Sequence, residues 1–144
     1  MQEDIYRIRV ILDHPTEEVY RDIYTSINCS LEELKDVILK FFKLNRKMIS
    51  SFYICNEQGD SEEEIVSSEL GEDTGFRFLS EVKFSDIIAE KKNLVFAAHG
   101  IKVRFFHIEI FGKLSNASAW AGQLPKLEKS FGEIPRKKST SGKE

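Results

Sequence analysis

Three histidines and two cysteines are the residues of this chain whose types could hold a metal or act as nucleophiles: His14, His99, His107, Cys29 and Cys55. A structural zinc site needs paired ligands at short, regular spacing, such as Cys-x-x-Cys or His-x-x-x-His. No pair here has that spacing. Cys29 directly precedes Ser30-Leu-Glu-Glu, a helix start, and a thiolate is stabilised at a helix N-terminus. A nucleophilic cysteine also needs a base held beside it, and the sequence assigns none. Gly71 and Gly75 lack the strand-to-helix setting of a phosphate cradle. The sequence therefore names no catalytic residue, no metal ligand and no cofactor.

Charge is the second source of chemistry. Arg7, Arg9 and Arg21 fall on strand-like segments beside Tyr20 and Tyr24, and Arg136, Lys137 and Lys138 open a basic tail. Arginines interleaved with aromatic rings on a sheet can track a nucleic-acid backbone while the rings stack on bases. Cross-strand pairing of the same arginines with Asp22 is the plainer alternative. The net charge of −3 argues against a protein that coats nucleic acid. Glu57 to Asp73 holds eight acids and no base, a run that suits a solvated loop or a cation or basic partner.

These residues are carried by elements that the patterning outlines. Tyr6, Ile8, Val10 and Leu12 alternate with Arg7 and Arg9, which predicts a half-buried strand. His14-Pro-Thr16 makes a turn, and Val19 to Ile27 predicts a second strand with Val19, Ile23 and Ile27 inward. Ser30 and Glu33 form a capping box for a helix whose apolar face is Leu31, Leu34, Val37, Ile38, Phe41, Phe42 and Leu44. Asn45 and Arg46 suit its C-terminus. Strands follow at Phe52–Cys55, at Glu64–Ser67 as a short edge, and at Leu94–Ala98. A helical turn over Phe84–Ile88 capped by Ser85 lies between the last two. Ile101–Phe111 has apolar residues on both phases, which predicts a bulge at Phe105-Phe106 or burial on both faces. Trp120, Leu124, Leu127 and Phe131 recur at helical spacing and predict a short helix from Pro125, docked on the core or on a partner.

Taken together these segments resemble the plasmid pRiA4b ORF-3-like family, whose members are found near mobile elements in bacteria and archaea and have no established activity. The likeness rests on Leu31, Leu34, Ile38 and Phe42, on Ser51-Phe-Tyr-Ile54, Glu64-Ile65 and Val82-x-Phe-Ser-Asp-Ile-Ile88. It continues through Ile108-Glu-Ile110 and Gly132-Glu-Ile-Pro135 and spans most of residues 5–135. Two positions depart from it: Lys35 stands where the family usually has histidine, and Ala97-Ala98 stand where it has an acidic turn. The resemblance implies a fold more than a function.

The expectation is an α+β fold, a mixed or antiparallel sheet packed on one main helix over about residues 30–44, with a β-grasp-like (ubiquitin-like) opening. Residues 1–114 are expected to form the core, 115–135 an extension packed on it, and 136–144 a disordered basic tail. No apolar run approaches the roughly 20 residues that span a bilayer, so a cytoplasmic protein without membrane contact is expected. The functional expectation is a non-enzymatic protein-interaction module with an unknown protein partner, contacts falling at Trp120, Leu124 and Phe131. A nucleic-acid accessory protein using Arg7, Arg9, Arg21, Lys137 and Lys138 is the alternative, and a hydrolase or metal enzyme is third.

Overall fold

The computed structural model describes residues 5–67, 77–90, 92–100, 102–114 and 124–135. Seven strands, β1 (Ile5–Leu12), β2 (Tyr20–Ser26), β3 (Ile49–Cys55), β4 (Ser61–Val66), β5 (Asn93–His99), β6 (Val103–Lys113) and β7 (Lys126–Phe131), form one sheet in the order β4-β3-β5-β6-β1-β2-β7. Every pairing between these strands is antiparallel. Helix α1 (Leu31–Phe41), helix α2 (Phe84–Ala89) and a single 3-10 turn at Leu79–Glu81 complete the described elements.

The architecture is thus mainly β, with 50% strand and 18% helix among the described residues, and the expected α+β class is corrected. The β-grasp-like opening is corrected with it. A β-grasp seats a strand parallel to β1 between β1 and β3, whereas here the β5–β6 hairpin fills that place and β6 runs antiparallel to β1. The C-terminal segment differs from expectation as well. Lys126–Phe131 is not a helix but the edge strand β7, paired with β2. A bulge at Glu128 breaks the alternation there, so Leu127 packs on the core while Phe131, four residues on, faces out.

The helix forms where its local chemistry dictates. The Ser30 hydroxyl accepts the Glu33 N–H at 3.1 Å, and the Glu33 carboxylate accepts the Ser30 N–H at 2.9 Å. Its C-terminus is closed not by Asn45 but by Lys43, whose φ of 61° is left-handed. The Leu44 N–H donates to Leu39 O at 2.8 Å and the Lys43 N–H to Lys40 O at 3.1 Å. This is a Schellman closure carried by a lysine where glycine is usual. Helix α2 begins after Lys83 rather than Ser85, with the Asp86 carboxylate accepting the Lys83 N–H at 3.3 Å.

One face of the sheet is dry. Ile8, Val10, Leu12, Ile23, Phe52, Phe96 and Phe106 point toward Leu31, Leu34, Ile38, Leu39 and Phe42 of the α1 region and toward Phe84 and Ile87 of α2. The Phe96–Phe106 and Phe42–Phe106 ring centroids are 5.9 and 4.7 Å apart. Both helices and the 3-10 turn pack on this inner face, so none of the described helices lies on the outer one. No described helix is long and apolar enough to cross a membrane.

Candidate interaction surface

The outer face is defined by strand parity. A row of facing residues crosses all seven strands: Glu64, Tyr53, Val95, His107, Ile11, Tyr20 and Phe131. Beside it run Ile49, His99 and Val103, then Phe105 opposite Ala97. Among the described residues, five of the six exposed large apolar ones, Ile49, Val103, Phe105, Phe111 and Phe131, sit on this face, and Ile110 is on the other. The face divides into two halves with different chemistry.

The β1–β2–β6–β7 half is a closed ionic and aromatic cluster. Asp22 is fully buried at its centre, and Arg9 grips it bidentately, Nε to Oδ1 at 2.7 Å and Nη2 to Oδ2 at 3.0 Å. Arg7 reaches the same carboxylate at 3.4 Å and Glu128 at 2.9 Å. Two bulges aim side chains at the cluster. One in β6 brings Phe111 within 4.9 Å of both guanidinium carbons, and the one in β7 presents Glu128 to Arg7. Arg9 also stacks over Tyr20 at 3.9 Å, and the Tyr20 ring stacks on Phe131 at 5.4 Å. The Arg9 guanidinium holds the Asp22 carboxyl below its ordinary range, against the opposing effect of burial. The same bond raises the Arg9 pKa.

Arg21 is not on this face. It occupies the inner phase of β2, 1% exposed, against α1. Its Nε donates to Phe41 O at 3.0 Å, and its Nη1 to Tyr20 O, Phe131 O and Gly132 O at 2.9, 3.2 and 3.0 Å. The guanidinium lies over the Phe42 ring at 4.7 Å, and Glu133 is 4.0 Å away. Burial lowers its pKa, with Glu133 opposing. Arg21 therefore fastens the C-terminal Gly132–Pro135 stretch to the end of α1. The structure thus puts Arg7 and Arg9 in one cluster and Arg21 in another. Lys137, Lys138 and Trp120 lie outside the described residues. Phe131 is exposed on the outer face, and Leu124 is half-buried beside Pro125.

The β3–β5–β6 half is apolar and open. Ile49 and Val103 flank His99, whose Nε2 is 3.3 Å from the Ser51 hydroxyl, and the Tyr53 and Phe105 rings are 6.5 Å apart. Tyr53 is pushed up in pKa by burial and then by Glu64. Next to Val103 and Phe105 is a cleft of about 180 Å³ lined by Leu12, Asp13, His14, Lys102, Arg104 and Pro135.

A second groove, about 320 Å³, lies where β2 meets α1, lined by Thr25, Ser26, Asn28, Cys29, Glu33, Val37, Leu124 and Pro125. The Thr25 hydroxyl is 3.8 Å from Cys29 Sγ. The described lining contains no histidine, and its one carboxylate, Glu33, is occupied by the helix cap. Both cysteines are free thiols, and burial raises the pKa of Cys55. Among the described residues, no three of His, Cys, Asp and Glu come together as a metal site. Lys35 is buried with Asp36 at 3.7 Å, and Ala97 and Ala98 are buried within β5. The acidic run is partly neutralised: Glu63 pairs with Arg77 at 2.7 Å and Glu62 with Lys92 at 2.6 Å.

No family model matches the chain, and no curated protein does. Among solved structures it is similar to a protein of unknown function, MM3350 from Methanosarcina mazei Go1, with a TM-score of 0.72 and 12% identity over 90% of this chain and 70% of that one. At that identity the likeness is one of fold.

Proposed function

We propose that the chain is a non-enzymatic protein-interaction module, a divergent relative of the plasmid pRiA4b ORF-3-like proteins, that binds its partner on the outer face of the sheet. The observation that carries this reading is the gathering of exposed Ile49, Val103 and Phe105 at one end of a face that no described helix covers. Singly exposed apolar residues are ordinary, whereas a contiguous apolar patch marks a contact site. Arg7 and Arg9 are engaged by Asp22 and Glu128 and Arg21 is internal, which leaves the nucleic-acid alternative resting on the basic tail.

Photo-crosslinking tests the reading. Benzoylphenylalanine at position 105 should give a defined protein adduct in cells expressing the chain, and the same group at position 110 should not. Val103→Asp should abolish the adduct at 105 without lowering the melting temperature. Equal labelling from both positions, or turnover of a small-molecule substrate by the pure protein, would refute the proposal.

A further inference from the structure

One end of the apolar half of the outer face carries a group of cations. Exposed Arg46 and Lys47 precede the start of β3, and exposed Lys102 precedes Val103 at the start of β6. The two groups are neighbours, because Ile49 faces His99 and His99 faces Val103. None of the three makes an ion pair among the described residues. By contrast Arg7, Arg9, Arg21, Arg77 and Lys92 each have a carboxylate partner. The β1–β2 turn across the cleft carries Asp13, Glu17 and Glu18, and Glu64 faces Tyr53 at the β4 edge, so the cations gather at the Ile49–Val103 end of this half. Asp13 is itself 3.5 Å from His107, and His14 Nδ1 accepts the amides of Thr16 and Glu17.

Resting on the outer face as the binding surface, we propose that this end of it docks an acidic protein segment bearing apolar anchor residues. Ile49, Val103 and Phe105 would take the anchors, with the cleft beside Phe105 receiving one of them. Arg46, Lys47 and Lys102 would meet the carboxylates. Charges at a rim steer and select a partner, while the apolar centre holds it. A single-stranded nucleic acid is a poorer fit, because binding one calls for rings that bases can stack on. Ile49, Val103, Val95 and Ala97 offer no such surface, and the Tyr53 and Phe105 rings are inclined at 48° to each other rather than laid side by side as a platform.

Fluorescence anisotropy of the full chain tests this with four labelled probes. They are a peptide alternating Glu with Leu and Phe, its Lys-for-Glu counterpart, a Glu/Ser peptide, and oligo(dT). The acidic apolar peptide should bind tightest, and raising the ionic strength should weaken it, since exposed charges are screened within about 8 Å at physiological salt. The double variant K47E/K102E should weaken that peptide by about tenfold while improving the Lys peptide. Equal binding of the Lys and Glu peptides, both lost in Val103→Asp, would overturn the acidic specificity and leave the face intact as a binding surface. Tighter binding of oligo(dT) would overturn it in favour of nucleic acid. No binding by any probe would overturn it too, with the crosslinking at position 105 still deciding the broader reading.

Discussion

Replacing Arg21 tests whether the buried guanidinium fastens the C-terminal stretch to the helix. Its hydrogen bonds reach carbonyls from three places in the chain: β2 itself, the last residue of α1, and the Phe131-Gly132 turn. A hydrogen bond to a charged group contributes about 1.5–3 kcal/mol net, and a desolvated cation over an aromatic ring about 2 kcal/mol. Against this stands the several-kcal/mol cost of burying the ion, with only the exposed Glu133 near it. Arg21→Met keeps most of the volume and releases the desolvation cost, so a loss of about 1–2 kcal/mol is expected. Arg21→Ala adds a cavity and four poorly satisfied carbonyls, and should lose about 3–4 kcal/mol. For a chain of this size that lowers the melting temperature by roughly 6–16 °C. Urea unfolding followed by circular dichroism measures the sum, and hydrogen exchange locates it. Amides of β7 and Gly132–Glu133 should exchange faster in both variants, with those of β3 and β5 unchanged. Met at position 21 matching the wild type within about 0.5 kcal/mol, with no local change in exchange, would refute the argument.

Asp22 has a folded pKa below its unfolded value. Its ion pairs therefore stabilise fully above the unfolded value of about 3.9, and the contribution fades as pH falls through the folded pKa. The stability gap between wild type and Asp22→Asn should be widest near neutrality and shrink below about pH 4, as denaturant titrations at stepped pH would report. Lys43→Gly relieves a left-handed lysine at the Schellman position. It should raise stability by about 1 kcal/mol, read as a higher urea midpoint at unchanged slope. Gly132 has a φ of 76°, and a Cβ there would collide with the Glu18 carbonyl and press on Val19. Gly132→Ala should therefore cost about 2 kcal/mol or more. An unchanged melting temperature would exclude that crowding.

What the sequence disclosed tracks how local each determinant is. The Ser30–Glu33 cap and the apolar stripe of α1 depend on residues close along the chain; the cap formed where the pattern placed it, and the stripe formed turned slightly, with Leu39 and Lys35 buried and Val37 and Phe41 half-buried. The alternation of β1 likewise put Arg7 and Arg9 on one face and Ile8, Val10 and Leu12 on the other. Strand order was not legible, since the pairing of β6 with β1 joins residues as far apart as Ile8 and Ile110. Arg21 did carry a signal: it shares the phase of Ile23 on β2. Its burial nonetheless required carbonyls 20 and 111 residues away, which no local pattern announces. The candidate surface was hidden for a related reason. Ile101–Phe111 carries apolar residues on both phases, and only the register with β5 and β1 shows that Phe106 and Ile108 are inside while Val103 and Phe105 face out.

The two halves of the outer face also differ in what holds them. In the β1–β2–β6–β7 half, each exposed ring is already engaged, Phe111 by two guanidiniums and Phe131 by Tyr20, and the buried Asp22 is compensated. Such a cluster contributes to stability, and a partner would have to break existing interactions to use it. In the β3–β5–β6 half, Ile49 and Val103 stay exposed and the neighbouring cations are unpaired among the described residues. A partner seated there has little internal structure to dismantle. Substitutions at Val103 and Lys102 should therefore change binding and leave stability within about 0.5 kcal/mol, whereas substitutions at Arg9 and Asp22 should do the reverse. A variant at Val103 that unfolds the chain as Asp22→Asn does would erase this division and, with it, the physical reason for placing the partner on that half.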